Sequence, residues 1–229
     1  MYSIMGARVD GLVLGSVQRR TRRSLGERLE RLVEAAVRLW SAERFRVIDD
    51  LEINSTVRLM HFMEEAQRCD PQYRALFIQL EGPVVTPEMK LGEASVIGAA
   101  RPDLRVSVGR VGGVSIECKR LRETEKRLCD LYVHQGMGRF VVSRYGAGEP
   151  LGLMVGYVQD GSAATLIGPV NQGVTAHPAM GSTGCLTVTA TKGDVCWLRS
   201  THNRALDVPI DLRHDAWIDM RNRVLTTKT

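Results

Sequence analysis

Apolar positions recur at helical spacing from Leu25 onward: Leu25, Leu29, Leu32, Val33, Ala36, Val37 and Trp40 share one face, with Glu27, Glu30, Arg31, Glu34 and Arg38 opposite. The pattern predicts an amphipathic helix that starts at a Ser24 N-cap, with Glu27 three positions on, and runs to about Glu43. A second helix is expected from an Asn54 or Ser55 cap to about Arg68, carrying Val57, Met60, His61 and Met63, before Asp70-Pro71 breaks it. Leu76, Phe77, Ile78 and Leu80 predict a short buried strand over 75–80. The stretch 81–101 mixes proline, glycine and charge and is expected to be loop.

From Arg101 the period changes to two. Leu104, Val106 and Val108 alternate with Asp103, Arg105 and Ser107, and beyond a glycine-containing turn Val114, Ile116 and Cys118 alternate with Ser115, Glu117 and Lys119. This predicts a β-hairpin. A helix over about 121–136 follows, then strands at 140–142 and 151–158, a short helix within 161–173, and strands at 185–190, 195–198 and 210–212. The order points to a mixed α/β (α+β) fold in one domain over 1–229: a helical N-terminal part to residue 75, a core over 76–175 and a β-rich C-terminal extension over 176–229.

Composition narrows the class. The chain has 229 residues, 44% hydrophobic and 25% charged, which excludes a disordered chain. The formal net charge is +5, and only five of the 31 basic residues are lysine. Arginine's planar fork suits phosphate, so a polyanionic partner fits, although the excess is small. With Arg8 and Asp10 interrupting the opening stretch and no long uncharged apolar run, a cytoplasmic protein without membrane association is expected. Five cysteines without CxxC spacing suggest neither a disulfide framework nor structural zinc, and the five histidines show no ligand spacing. Ser200, His202 and Asp207 could be drawn as a hydrolase triad, but there is no GxSxG elbow.

The hairpin carries the strongest chemical signal. Glu117 and Lys119 are two apart on a strand and point the same way, and Asp103 opens the neighbouring strand within reach of Glu117. Two carboxylates meeting at a strand edge repel unless a cation lies between them, and Mg²⁺ accepts such a pair plus phosphate. Lys119 beside it could orient or deprotonate a water and stabilise charge at the phosphate; it is expected to be exposed, so that its removal would leave folding intact. The alternative is an ordinary surface hairpin with a solvated Asp/Glu/Lys cluster.

Pro102-Asp103, thirteen residues and Glu117-Cys118-Lys119 resemble the PD-(D/E)XK nuclease superfamily, the restriction-endonuclease-like fold. A second triplet, Glu88-Met89-Lys90, lacks an upstream Pro-Asp. The resemblance covers about residues 76–160. It implies an αβββαβ core, Mg²⁺- or Mn²⁺-dependent cleavage of nucleic acid, metal ligation by Asp103, Glu117 and the Cys118 backbone carbonyl, and Lys119 at the attacking water. It also implies a polar residue on the following helix, where Gln135 stands, though Gln135 could equally be the last helical residue before a Gly136 cap. An acid on the first core helix is implied too; Glu52, just before the expected second helix, is favoured over Glu64, Glu65 and Glu81. The implied activity is a DNA endonuclease of prokaryotic phage defence, restriction or repair, as a homodimer or with a defence-system partner. The alternative is a non-catalytic nucleic-acid-binding or assembly protein that retains the fold. Phosphate contacts are expected from the Arg19, Arg20, Arg22 and Arg23 run or from Arg120, Arg122, Arg139 and Arg144.

Overall fold

In the computed structural model the described residues are 25–43, 51–85, 87–108, 113–205 and 207–221. The Ser24 cap and the arginine run at 19–23 lie outside them. Helix α1 spans 25–42 and α2 spans Glu52–Cys69. They are followed by β1 (Phe77–Leu80), α3 (Pro87–Leu91), β2 (Leu104–Ser107) and β3 (Gly113–Leu121). Helix α4 covers 126–141, with π-helical turns over Tyr132–Met137, and leads into β4 (Leu151–Val158). Helix α5 (Ala163–Ala176), β5 (Thr187–Lys192), β6 (Val195–Arg204) and β7 (Asp207–Asp219) complete the order.

Among the described residues, seven strands form one mixed sheet in the order β1-β2-β3-β4-β7-β6-β5. The β1-β2-β3 meander is antiparallel, β3, β4 and β7 run parallel, and β6 and β5 return antiparallel. Every residue of β4, Leu-Gly-Leu-Met-Val-Gly-Tyr-Val, is buried, as a central parallel strand covered on both faces requires. On one face α1 and α2 pack Leu29, Trp40, Leu59 and Met63 against Leu104, Ile116, Val155 and Tyr157. On the other, α4 and α5 pack Tyr132, Phe140, Leu166 and Val170 against Met154, Leu198, Leu212 and Trp217. Among the described residues no helix is long and apolar enough to cross a membrane.

Several expected boundaries move. Helix α2 begins at Glu52, with Leu51 as its cap and no side-chain cap bond, so Asn54 and Ser55 lie inside it. Thr56 Oγ1 donates to the Glu52 carbonyl (2.9 Å) and accepts from Tyr157 Oη (3.2 Å), which pins this first turn to β4. Strand β1 is an edge strand with Phe77 60% exposed, rather than a buried one, because only β2 flanks it. The expected loop at 81–101 contains α3, where Glu88-Met89-Lys90 falls.

The expected helix over 121–136 slides C-terminally. Leu121 still pairs with Val158 as the end of β3, and of the strand expected at 140–142, Phe140 and Val141 are the buried last turn of α4 and Val142 is its C-cap. Gly136 is therefore internal and does not cap. The strand expected at 185–190 lies two residues further on as β5, those expected at 195–198 and 210–212 fall within the longer β6 and β7, and β7 pairs directly with β4, continuing the central sheet.

Candidate active site

Strand β3 is nine residues long and β2 only four, so the β2-side edge of β3 is unpaired beyond Ile116. The backbone groups of Cys118 and Arg120 that face this edge must find other partners. Carboxylates supply them: the Cys118 N–H donates to Asp103 Oδ2 (2.7 Å) and the Arg120 N–H to Glu52 Oε2 (3.1 Å). Asp103 sits where β2 begins, and Glu52 arrives from the first turn of α2. The edge that ends the sheet ladder thus gathers the acids. It also leaves the Cys118 carbonyl outside the ladder, where it accepts from Lys119 Nζ (2.7 Å).

Alternation along β3 sends Cys118 into the α1/α2 core and Glu117 and Lys119 towards α4. Lys119 Nζ lies 2.8 Å from Glu52 Oε1, 2.9 Å from Glu117 Oε1 and 3.7 Å from Asp103 Oδ2. Lys119 is not exposed, as the sequence suggested, but only 8% accessible, because α4 closes over its stem. Gly136 permits that approach: a Cβ there would lie 2.5 Å from Met154 Cε and 3.5 Å from Lys119 Cγ. Burial works against the charge on Lys119, but Glu117, Asp103 and Glu52 outweigh it and hold its pKa above the ordinary lysine value.

Glu117 is the most constrained acid. Its side chain is fully buried, and burial first, then repulsion from Asp103, pushes its pKa up to about 7 against the pull of Lys119 and Arg139. Oε1 accepts from Lys119 and from Arg139 Nη1 (2.5 Å), whereas Oε2 is buried without a hydrogen-bond partner. A buried acceptor left unmade costs on the order of 1–3 kcal/mol.

These residues fit a hard divalent cation. The set is all oxygen, two carboxylates and the Cys118 carbonyl; Mg²⁺ needs only one or two carboxylates besides water and phosphate, and Glu117 Oε2 lacks a partner. Among the described residues no three His, Cys, Asp or Glu side chains are grouped as metal ligands, so the fit rests on this smaller set. The single Lys119 ammonium currently touches all of its members.

Glu52, Asp103, Lys119, Arg120, Gln135 and Arg139 line one cavity of about 530 Å³, with Leu51, Ile53, Leu128 and Leu131 on its walls. Gln135 is exposed into this space from the π-helical turns of α4, with the helix continuing beyond it. Of the acids considered, Glu52 makes the contacts, from within α2 rather than before it. Glu81 lies on the cavity wall with a left-handed φ of 46° and its N–H on the Asp103 carbonyl (3.0 Å). Glu65 instead pairs with Arg68 on the exposed side of α2, and Glu64 is not among the cavity-lining residues.

The sequence names Arg139 only as a candidate phosphate contact; its bond to Glu117 and the part played by Tyr145 were not anticipated. Arg139 follows Gln135 by four positions, hence on the same helical face, and donates to both Glu117 and Tyr145 Oη (3.0 Å); Tyr145 Oη in turn donates to the Arg101 carbonyl (3.0 Å), two residues before Asp103. That i, i+4 relation was the available signal.

The Ser200/His202/Asp207 trio does not assemble. Ser200 Oγ bonds His202 Nε2 (2.9 Å) and His214 Nε2 (2.8 Å), and His214 Nδ1 meets Tyr132 Oη (2.6 Å), all in the interior. Asp207 instead accepts from Ser143 Oγ and the Gly148 N–H. Burial holds His202 at about 4 and His214 at about 3, so both rings are neutral. No family model, curated protein or solved structure matches the chain.

Proposed function

We propose that the chain is a metal-dependent nuclease of the PD-(D/E)XK kind, hydrolysing phosphodiester bonds in nucleic acid, with DNA as the expected substrate in phage defence, restriction or repair. The observation that carries this reading is the convergence of Asp103, Glu117, the Cys118 carbonyl and Glu52 on Lys119 at the mouth of a cavity. The chain order supports it: α2, the antiparallel β1-β2-β3 meander, α4 and then β4 parallel to β3 follow the αβββαβ sequence that the resemblance implies.

Asp103, Glu117 and the Cys118 carbonyl would hold Mg²⁺ or Mn²⁺. When bound, the ion supplies Lewis acidity, acidifying water and offsetting charge on the phosphate. The protein's own groups do the positioning. Lys119, a pure donor as an ammonium, orients the attacking water and stabilises charge that grows on the phosphate oxygens. Glu52 holds Lys119 and the Arg120 backbone in place from α2. The water oxygen gives up a proton to solvent and bonds to phosphorus as the bond to the leaving sugar oxygen breaks, and the leaving oxygen takes a proton from solvent. The test is incubation of supercoiled plasmid with the purified protein. Nicked or linear product is expected with Mg²⁺ or Mn²⁺ and none with excess EDTA or with Glu117→Gln. Cleavage that persists in EDTA would remove the metal mechanism, and DNA binding without cleavage under all metals would favour the non-catalytic alternative.

A further inference from the structure

Among the described residues, only one nitrogen of the Arg139 guanidinium is engaged. Nη1 serves both Glu117 Oε1 and Tyr145 Oη, while Nε and Nη2 donate no hydrogen bond among the described residues. The side chain is 31% exposed and lines the cavity. Behind it, Cζ lies 5.6 Å from the Tyr145 ring centroid, and Tyr145 is fixed by the Arg101 carbonyl and by edge contact with Phe140 at 5.5 Å. The guanidinium is thus held on one side, with its Nε–Nη2 edge left as a preorganised fork. A fork of this kind matches two oxygens of a phosphate.

Formal charge leads to the same place. With the buried Glu117, the cavity residues Glu52, Glu81 and Asp103 carry four negative charges against three positive ones on Lys119, Arg120 and Arg139. A divalent ion would turn that deficit into a surplus of one positive charge, which one phosphodiester would neutralise. We infer that Arg139 binds the substrate phosphodiester bidentately through Nε and Nη2, as a phosphate clamp of the nuclease site. This deepens the nuclease reading and rests on it.

The test measures binding of a short fluorescein-labelled DNA duplex to the full chain in Ca²⁺, over a range of salt concentrations, beside Mg²⁺-dependent plasmid cleavage. Arg139→Gln is expected to weaken binding about tenfold and to reduce the log–log salt slope by about 0.9, the value of one phosphate contact. Arg139→Lys, which keeps the charge but not the fork, is expected to keep the slope and still lose affinity. If Arg139→Gln does not fold, judged by its melting transition, the lysine variant decides: lowered affinity supports the clamp and wild-type affinity overturns it. An arginine that only braces Glu117 would lower the melting temperature while leaving affinity and slope untouched, which overturns the clamp and leaves the nuclease reading standing. A wild-type chain that neither binds the duplex nor cuts plasmid would overturn both.

Discussion

Lys119 is surrounded by more carboxylate than one ammonium can neutralise, and this imbalance sets how the site responds to substitution. Lys119→Ala would leave the buried Glu117 with Arg139 alone and Glu52 with only the Arg120 N–H of the two bonds described for it. Breaking a buried pair from one side costs about 3 kcal/mol, so a clear drop in the denaturant midpoint is expected together with loss of plasmid cleavage. A midpoint equal to wild type would show that the ammonium is not compensating buried charge. The same imbalance predicts that Mg²⁺ raises the melting temperature of the wild-type chain by mass action, and that Glu117→Gln abolishes this response. Asp103, Glu117 and Lys119 were legible in the sequence because a strand's period of two fixes which side chains face together. The burial of Lys119 was not, since it depends on how closely a later helix lies across the strand.

At the scale of elements, the position of α4 is set by where β4 lacks side chains. A Cβ at Gly152 would fall 2.6 Å from Phe140 Cε1 and 3.0 Å from Leu212 Cδ2, and one at Gly156 2.7 Å from the Trp217 ring. Gly152→Ala must push Phe140, and with it the Arg139 turn, away from the sheet. A loss of about 1–3 kcal/mol is expected from such overpacking, read as a lower melting temperature, with cleavage reduced further than stability alone explains. The hairpin and β4 could be read from alternation and from a continuous apolar run. The ends of α4 could not: Leu121 suits either a strand end or a helix start, and Phe140-Val141-Val142 is β-prone locally, yet Phe140 and Val141 are held helical by packing against Tyr145 and the space above Gly152, and the exposed Val142 caps the helix.

For the whole molecule, β7 is decisive. It pairs with β4 from Leu151↔Asp211 to Val158↔Asp219, so the strands expected as a C-terminal extension cover the open edge of the central strand. No local pattern reports where a late strand inserts, which is why the strand itself was anticipated and its neighbour was not. A chain ending at residue 176 is therefore expected to lack a cooperative thermal transition. The buried His202 and His214 add a pH response. Their folded pKa values, about 4 and about 3, lie below the ordinary 6.5, so the unfolded chain takes up protons first. Their contribution is fully present above about pH 6.5 and is lost as the pH falls through about 4 and about 3, at roughly 1.4 kcal/mol per unit for each ring. The fall in melting temperature between pH 6.5 and 4 is expected to be shallower in His214→Gln than in wild type.

The parallel placement of β7 also has a temporal meaning. Every residue of the candidate site lies between Glu52 and Tyr145, yet the strand on which β3 leans is flanked on its far side by residues 211–219. During synthesis the ribosome releases the whole acid–lysine constellation well before the segment that locks its supporting strand. A nascent chain thus carries the candidate site residues without the strand that flanks their support, and the site is expected to assemble only once residues 211–219 have emerged.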